Sequence, residues 1–80
     1  MKEIICNINA FDFSQTIFVY HNGEREKTIH VAGLTELEQT ITQLYLAEDV
    51  NVVHLHGDVE FVDDIVKNIR KNNNIRIEVH

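Results

Sequence analysis

The chain contains no proline, a single cysteine and only three glycines among its 80 residues. Because Cys6 has no second cysteine to pair with, no internal disulfide can form, and nothing indicates an oxidising compartment. No apolar run approaches the roughly 20 residues that a membrane-spanning helix needs, and no signal-peptide pattern follows Met1. We therefore expect a cytoplasmic protein. Since no linker or internal repeat interrupts the chain, we expect one small domain over residues 1–80.

Lysine and arginine are missing from the whole middle of the chain, from Thr28 to Val66. The acidic residues of that stretch are Glu36, Glu38, Glu48, Asp49, Asp58, Glu60, Asp63 and Asp64. The net charge of −6 at pH 7 disfavours nucleic-acid binding, which requires a basic face. The simpler interpretation is a solvated acidic layer of helices. The alternative is an acidic surface that binds a basic protein partner.

Three strand-like segments come first in the chain. From Ile4 to Ala10 every second residue is apolar, and two of the three residues between them are asparagines. The segment Thr16–His21 is rich in β-branched and aromatic residues. Asn22-Gly23 then predicts a tight type I′ hairpin turn. The returning strand, Lys27–Ala32, is less hydrophobic and flanked by charges, which is typical of an edge strand.

Two helices alternate with two further strands in the rest of the chain. Thr35 and Glu38 match a capping box at the start of the first helix, and Asp58 is a good N-cap for the second. Between the helices, Asn51–His56 is a short apolar run of strand type. In the last strand one face is apolar and the other polar, and the two sets are Ile75, Ile77 and Val79 against Arg76, Glu78 and His80.

The order of elements, βββαβαβ, predicts an α/β fold with a mixed five-stranded sheet. Two right-handed crossovers after a three-stranded meander give the strand order 3-2-1-4-5 and place both helices on one face. Because the last strand ends at His80, we expect the other face to carry no helix. Strand alternation assigns to this uncovered face His54, His56, Arg76 and Glu78. Phe18 and Tyr20 join them there if Ile17 and Val19 meet the helices.

This element order resembles the ribonuclease H-like fold, which ribonuclease H, junction resolvases and actin-like ATPase domains share. The resemblance covers nearly the whole chain but extends to no motif. Where nucleases have an aspartate near the end of the first strand, this chain has Asn9, and the segment Asn9–Ser14 lacks the glycine of an actin-like phosphate loop. Actin-like domains often have a pair of glycines in the nucleotide-binding turn after a later strand, whereas this chain has only Gly57 there. The resemblance implies the fold, and fold likeness alone does not carry an activity.

The segment His54-Leu55-His56-Gly57-Asp58 carries the sharpest signal for chemistry. His54 and His56 point the same way in a strand, and Asp58 at the strand exit completes a candidate ligand set for a divalent metal. The segment also resembles the start of the metallo-β-lactamase motif H-x-H-x-D-H, although Val59 replaces the final histidine. The alternative is a pair of partly buried imidazoles on a sheet face. We assign no catalytic residue and no cofactor. Cys6 lies within a strand pattern and is interpreted as a core residue and not as a nucleophile.

Two functional hypotheses remain from the sequence. The first is a small non-enzymatic interaction protein that forms a dimer through the helix-free sheet face or an edge strand, with a composition that suits a phage or mobile element. Its candidate interface residues are Phe18, Tyr20, His54, His56, Arg76 and Glu78. The alternative is a minimal ribonuclease H-like or actin-like relative that retains nucleotide, nucleic-acid or metal binding.

Overall fold

The computed structural model describes residues 1–9 and 14–80, and its elements follow the predicted order. They are β1 (Lys2–Asn7), β2 (Ser14–His21), β3 (Glu24–Ala32), α1 (Leu34–Ala47), β4 (Val52–His56), α2 (Val59–Arg70) and β5 (Ile77–Val79). The end of the predicted first strand, Ala10, lies outside the described residues, as do residues 11–13. Neither of the two helices is long and apolar enough to cross a membrane.

The five strands form one mixed sheet in the order β3-β2-β1-β4-β5, which confirms the predicted topology. β1 to β3 are antiparallel neighbours, whereas β4 runs parallel to both β1 and β5. Asn22 and Gly23 both have positive φ, 54° and 83°, as the type I′ turn between β2 and β3 requires. The Asn22-Gly23 turn and the right-handedness of the crossovers therefore account for the order of the strands in the sheet.

Both helices pack on the same face of the sheet and enclose the core with it. The core contains sheet residues of one parity together with the apolar faces of α1 and α2, and among its fully buried members are Ile4, Cys6, Ile17, Val19, Leu37, Ile41, Val53, Leu55 and Val62. Burying one such aliphatic side chain contributes about 1.5–3 kcal/mol. We call this side of the sheet the covered face.

The other side, which we call the open face, has neither α1 nor α2 over it. Register places Phe18 and Tyr20 there, since the alternate residues Ile17 and Val19 belong to the core. The predicted sidedness of β2 and β4 is thereby confirmed. Val79 differs from expectation: it shares the parity of the buried Leu55 but is 41% exposed, because it lies at the end of a short edge strand.

The start of α1 differs from the predicted capping box. The helix begins at Leu34 after Gly33, whose φ is 111°, and no side chain caps it. The carboxylate of Glu36 instead accepts a hydrogen bond of 2.9 Å from the backbone N–H of Ala32. The capping-box assignment of Thr35 and Glu38 is therefore wrong, because the N-cap is Gly33 and the helix starts two residues earlier, in a glycine conformation open to few other residues.

Part of the predicted acidic layer is paired within the domain. Glu48, at the end of α1, lies 3.1 Å from the ammonium of Lys2 and 2.7 Å from that of Lys27. These two lysines, distant from Glu48 in sequence, hold the pKa of its carboxyl below the ordinary value through their hydrogen bonds. Glu38 behaves in the opposite way: burial raises its pKa despite a hydrogen bond with Asn68.

Candidate functional site on the open face

The centre of the open face is apolar and half-buried. Ile5 of β1 lies between Phe18 of β2 and His54 of β4 in the sheet register. The guanidinium of Arg25 lies 5.7 Å from the centre of the Phe18 ring, which is a cation–π distance. Val52, on the same side, is 1% exposed and does not belong to the core cluster. Neighbouring side chains of the sheet therefore shield this apolar centre in part.

One edge of the open face gathers imidazole and carboxylate groups, which we call the histidine cluster: His54, Glu78 and His80. Nδ1 of His54 lies 3.0 Å from Nε2 of His80 and 3.5 Å from Oε2 of Glu78. The third distance, from Nε2 of His80 to Oε2 of Glu78, is 4.0 Å. Three potential ligand atoms thus form a small triangle, and no other such group of three occurs among residues 1–9 and 14–80.

The parallel pairing of β4 and β5 brings the histidine cluster together. His54 is in register with Glu78, and alternation along β5 returns His80 to the same face two residues later. The backbone N–H of His80 donates a hydrogen bond of 2.9 Å to the carbonyl of Leu55. The cluster therefore rests on sheet backbone and not on a loop.

Three further side chains surround the histidine cluster. On the far side of the His54 ring, Nε2 lies 3.5 Å from Oε1 of Glu3. Arg76 donates through Nη2 to Oε1 of Glu78 at 3.0 Å, which leaves Oε2 turned to the imidazoles. The ring of His56 stacks on that of His80 with a centroid distance of 4.6 Å and an angle of 17°. These contacts restrain each member of the cluster.

The metal set predicted from the sequence is only partly brought together. His54 belongs to the histidine cluster and His56 stacks beside it, but Asp58 accepts a hydrogen bond of 3.1 Å from the N–H of Glu60 and caps α2. Glu78 and His80 were not among the predicted ligands. Their alternation in the last strand, combined with the predicted neighbourhood of strands four and five, was the signal that could have identified them.

Two other residues considered in the sequence, Asn9 and Cys6, are held by backbone contacts and by burial. Both the N–H and the carbonyl of Asn9 bond to the side-chain amide of Gln15, at 3.0 and 2.8 Å. Burial raises the pKa of the Cys6 thiol to about 12, so this cysteine is inert at neutral pH. The described residues enclose no pocket.

Comparison with known proteins finds similarity only at the level of three-dimensional structure. No protein-family model matches the chain, and no curated protein matches its sequence. A protein of Bacteroides thetaiotaomicron with an actin-like ATPase fold and unknown function superposes with a TM-score of 0.74 and 10% identity. That match covers 99% of this chain and 32% of the other.

A second solved structure is the fowlpox virus resolvase in complex with its Holliday junction DNA. It superposes with a TM-score of 0.56 and 16% identity, over 100% of this chain and 60% of the resolvase. The chain therefore spans about a third and about 60% of the lengths of these two proteins. At such identities the likeness shows the fold alone, which is the ribonuclease H-like and actin-like arrangement of a mixed sheet with two helices.

Proposed function

We propose that this chain is a protein-interaction module and that its first partner is a second copy of itself, bound through the open face. The observation that carries the proposal is a five-stranded sheet with both of its described helices on one side. A sheet face normally packs against another layer. In this proposal the open face of the second copy provides that layer.

The composition of the open face supports a protein partner. Ile5, Phe18 and Tyr20 form a central apolar and aromatic region, and charged side chains of both signs surround it. Central aromatic residues within a charged, polar rim are typical of protein–protein interfaces. Because the rim carries both carboxylates and guanidinium groups, a second copy brings complementary charges. These rim residues are Glu3, Arg25, Arg76 and Glu78.

The size of the domain also supports a second copy as the partner. Its Cα atoms extend over 30 × 24 × 21 Å, so that its largest side measures about 700 Å². A stable specific interface buries about 800 Å² on each partner. A dimer with an interface of standard size must therefore use a whole side of the molecule, and the open face spans all five strands.

The edge strand β3 is a less favourable surface for self-association. It is nine residues long, but its first half, Glu24–Lys27, carries alternating charges and adjoins a bulge opposite Val19 and Tyr20. Charges and bulges at a sheet edge discourage the addition of another strand. We therefore place the dimer contact on the open face. In this proposal the exposed carboxylates of α2, which are Glu60, Asp63 and Asp64, can then bind a basic partner.

Sedimentation equilibrium over a wide concentration range tests the proposal. We expect the unmodified chain to dimerise and Phe18→Asp to shift the association constant at least tenfold toward the monomer, since it places a carboxylate in the apolar centre. The matched control is Leu46→Asp, which makes the same change at a position on α1 that is 61% exposed. Circular dichroism of both variants verifies that the fold is intact.

Two results would overturn the proposal. One is a chain that stays monomeric at the highest concentration studied. The other is a dimer that both substitutions weaken equally, because the contact would then lie outside the open face.

The fold likeness supports a second candidate function, the binding of a nucleotide or of branched DNA. It derives from two neighbours, one with an actin-like ATPase fold and one a resolvase bound to a Holliday junction. Against it stand the net charge of −6 and Asn9 at the position of the nuclease aspartate. Fluorescence anisotropy tests this candidate with two ligands, a labelled four-way junction and a labelled ATP analogue. Saturable binding of either ligand at physiological salt favours it, and flat titrations with both ligands refute it.

A further inference from the structure

We infer that His54, Glu78 and His80 form a binding site for a divalent transition-metal ion of the zinc class. The ligand atoms are Nδ1 of His54, Oε2 of Glu78 and Nε2 of His80. The site differs from the set that the sequence suggested, because it draws on two strands and omits Asp58. It does not depend on self-association, since one copy supplies all three ligands.

The distances among the three atoms fit a tetrahedral ion. Zinc binds imidazole nitrogen and carboxylate oxygen at about 2.0–2.2 Å, so neighbouring ligand atoms of a regular tetrahedron lie about 3.3–3.6 Å apart. The observed separations are 3.0, 3.5 and 4.0 Å. Shifts of a few tenths of an ångström in side chains that are partly exposed bring all three to the ideal value. No change of the sheet backbone is needed.

The identity of the ligands selects the class of ion. Two imidazoles and one carboxylate suit zinc and its neighbours in the transition series, whereas calcium and magnesium prefer sites built from oxygen atoms alone. Three protein ligands leave the fourth tetrahedral position free. Because the side chains of Glu78 and His80 are 42% and 44% exposed, that position opens to solvent, where water or a ligand from a partner can occupy it.

The surroundings provide outer-shell contacts that metal sites commonly have. A metal-binding imidazole usually directs its second nitrogen to a carboxylate, and Nε2 of His54 lies 3.5 Å from Glu3. Arg76 holds the second oxygen of Glu78 and so orients the first one toward the imidazoles. The positive charge of Arg76 repels the bound cation in part, and the negative charges of Glu3 and Glu78 offset this repulsion.

The alternative is a cluster that functions only through its own hydrogen bonds. The separation of 3.0 Å between His54 and His80 is also a normal hydrogen-bond distance. In that case the side chains stabilise the pairing of β4 and β5 without any ion. The two explanations differ in what an added metal does.

Two titrations of the untagged full chain distinguish these two explanations. Zn²⁺ binding is measured by isothermal calorimetry, and Co²⁺ binding by visible absorption. We expect one ion per chain with a Kd of about 10 μM or tighter, and the intense visible bands of tetrahedral cobalt. Glu78→Gln and His80→Ala should each weaken binding by more than tenfold. Glu3→Gln should weaken it by about 10-fold, the lower end of the range for an outer-shell partner.

His30→Ala is the matched control. His30 is an imidazole on the same face but on β3, at the opposite edge of the sheet, where Thr16 contacts it at 3.2 Å. It should leave the metal affinity unchanged. The inference is overturned if neither ion binds below millimolar concentration, or if His30→Ala weakens binding as much as Glu78→Gln does. A chain that binds Zn²⁺ and stays monomeric at the highest concentration studied would support this site while refuting the dimer.

Discussion

The two faces of the sheet are held by different physical forces, and β4 contributes to both. On the covered face, Val53 and Leu55 have no exposed surface and pack into the core with α1 and α2. On the open face, the imidazoles of His54 and His56 contact the ring of His80. Burial of apolar surface stabilises the first face, and polar pairing between neighbouring strands organises the second. Adjacent residues of one short strand therefore lie in different environments: one side contributes to stability, and the other is the side on which we propose recognition.

The largest effect is expected from truncation on the covered face. Leu55→Ala should lower the free energy of unfolding by about 2–5 kcal/mol, because it removes buried methyl groups and leaves a cavity. His56→Ala, the next residue on the open face, should cost less than about 1 kcal/mol. Urea denaturation of the two variants measures both values. Equal losses would contradict the division of roles between the two faces.

An intermediate effect is expected at Gly57, where β4 leaves the sheet to enter α2. A Cβ at this position would lie 2.8 Å from the carbonyl oxygen of Ile8 and 3.3 Å from Val62. Gly57→Ala should therefore destabilise the fold by about 1–3 kcal/mol, because β1 and α2 must both move to make room.

Gly23→Ala is the control for Gly57→Ala. Gly23 also has positive φ, but a Cβ there meets no atom within 4 Å. We expect it to cost about 1 kcal/mol through backbone conformation alone. Thermal unfolding of both variants separates the cost of the steric contact from the cost of the backbone conformation. A smaller loss of stability for Gly57→Ala than for Gly23→Ala would show that the contact with Ile8 relaxes freely.

The smallest effects are expected from two glutamates of α1 whose pKa values shift in opposite directions. Glu48→Gln should lower stability at pH 7 by about 0.2–1 kcal/mol, because it removes partners of Lys2 and Lys27. The pKa of Glu48 is lowered in the folded state, so this contribution is present above its ordinary value near 4.5 and is lost as the pH falls through the folded pKa.

Glu38→Gln should act in the opposite direction. Burial raises the pKa of Glu38, so its charged form costs stability above the ordinary pKa, and this cost is relieved as the pH falls through the raised value. We expect Glu38→Gln to raise stability at pH 7 by less than about 0.5 kcal/mol. Denaturation over a series of pH values from 7 downward checks both variants, and the effect of Glu48→Gln should persist to lower pH than that of Glu38→Gln, because the pKa of Glu48 is lowered and that of Glu38 is raised. A stabilising Glu48→Gln would contradict the pairing with the lysines.

The histidine cluster illustrates which parts of the site the sequence could reveal. His54 and His56 stood out because their spacing is local and their shared face follows from strand alternation. Asp58 was assigned with them for the same local reason, but as the first residue before α2 it bonds to the helix backbone instead. Glu78 and His80 are more than 20 residues away from His54 in the chain. Their approach depends on the parallel register of β4 and β5, which local patterns do not encode.

The sequence by itself determined the element order, the strand order and the side of the sheet on which the residues of β4 lie. These features depend on hydrophobic period, on one turn dipeptide and on the handedness of crossovers, all of which are properties of short segments. Only the tertiary structure decided which charged groups meet. Glu48 reaches Lys2 and Lys27, and His54 reaches Glu78 and His80, because strand register and helix packing bring distant segments within hydrogen-bond distance.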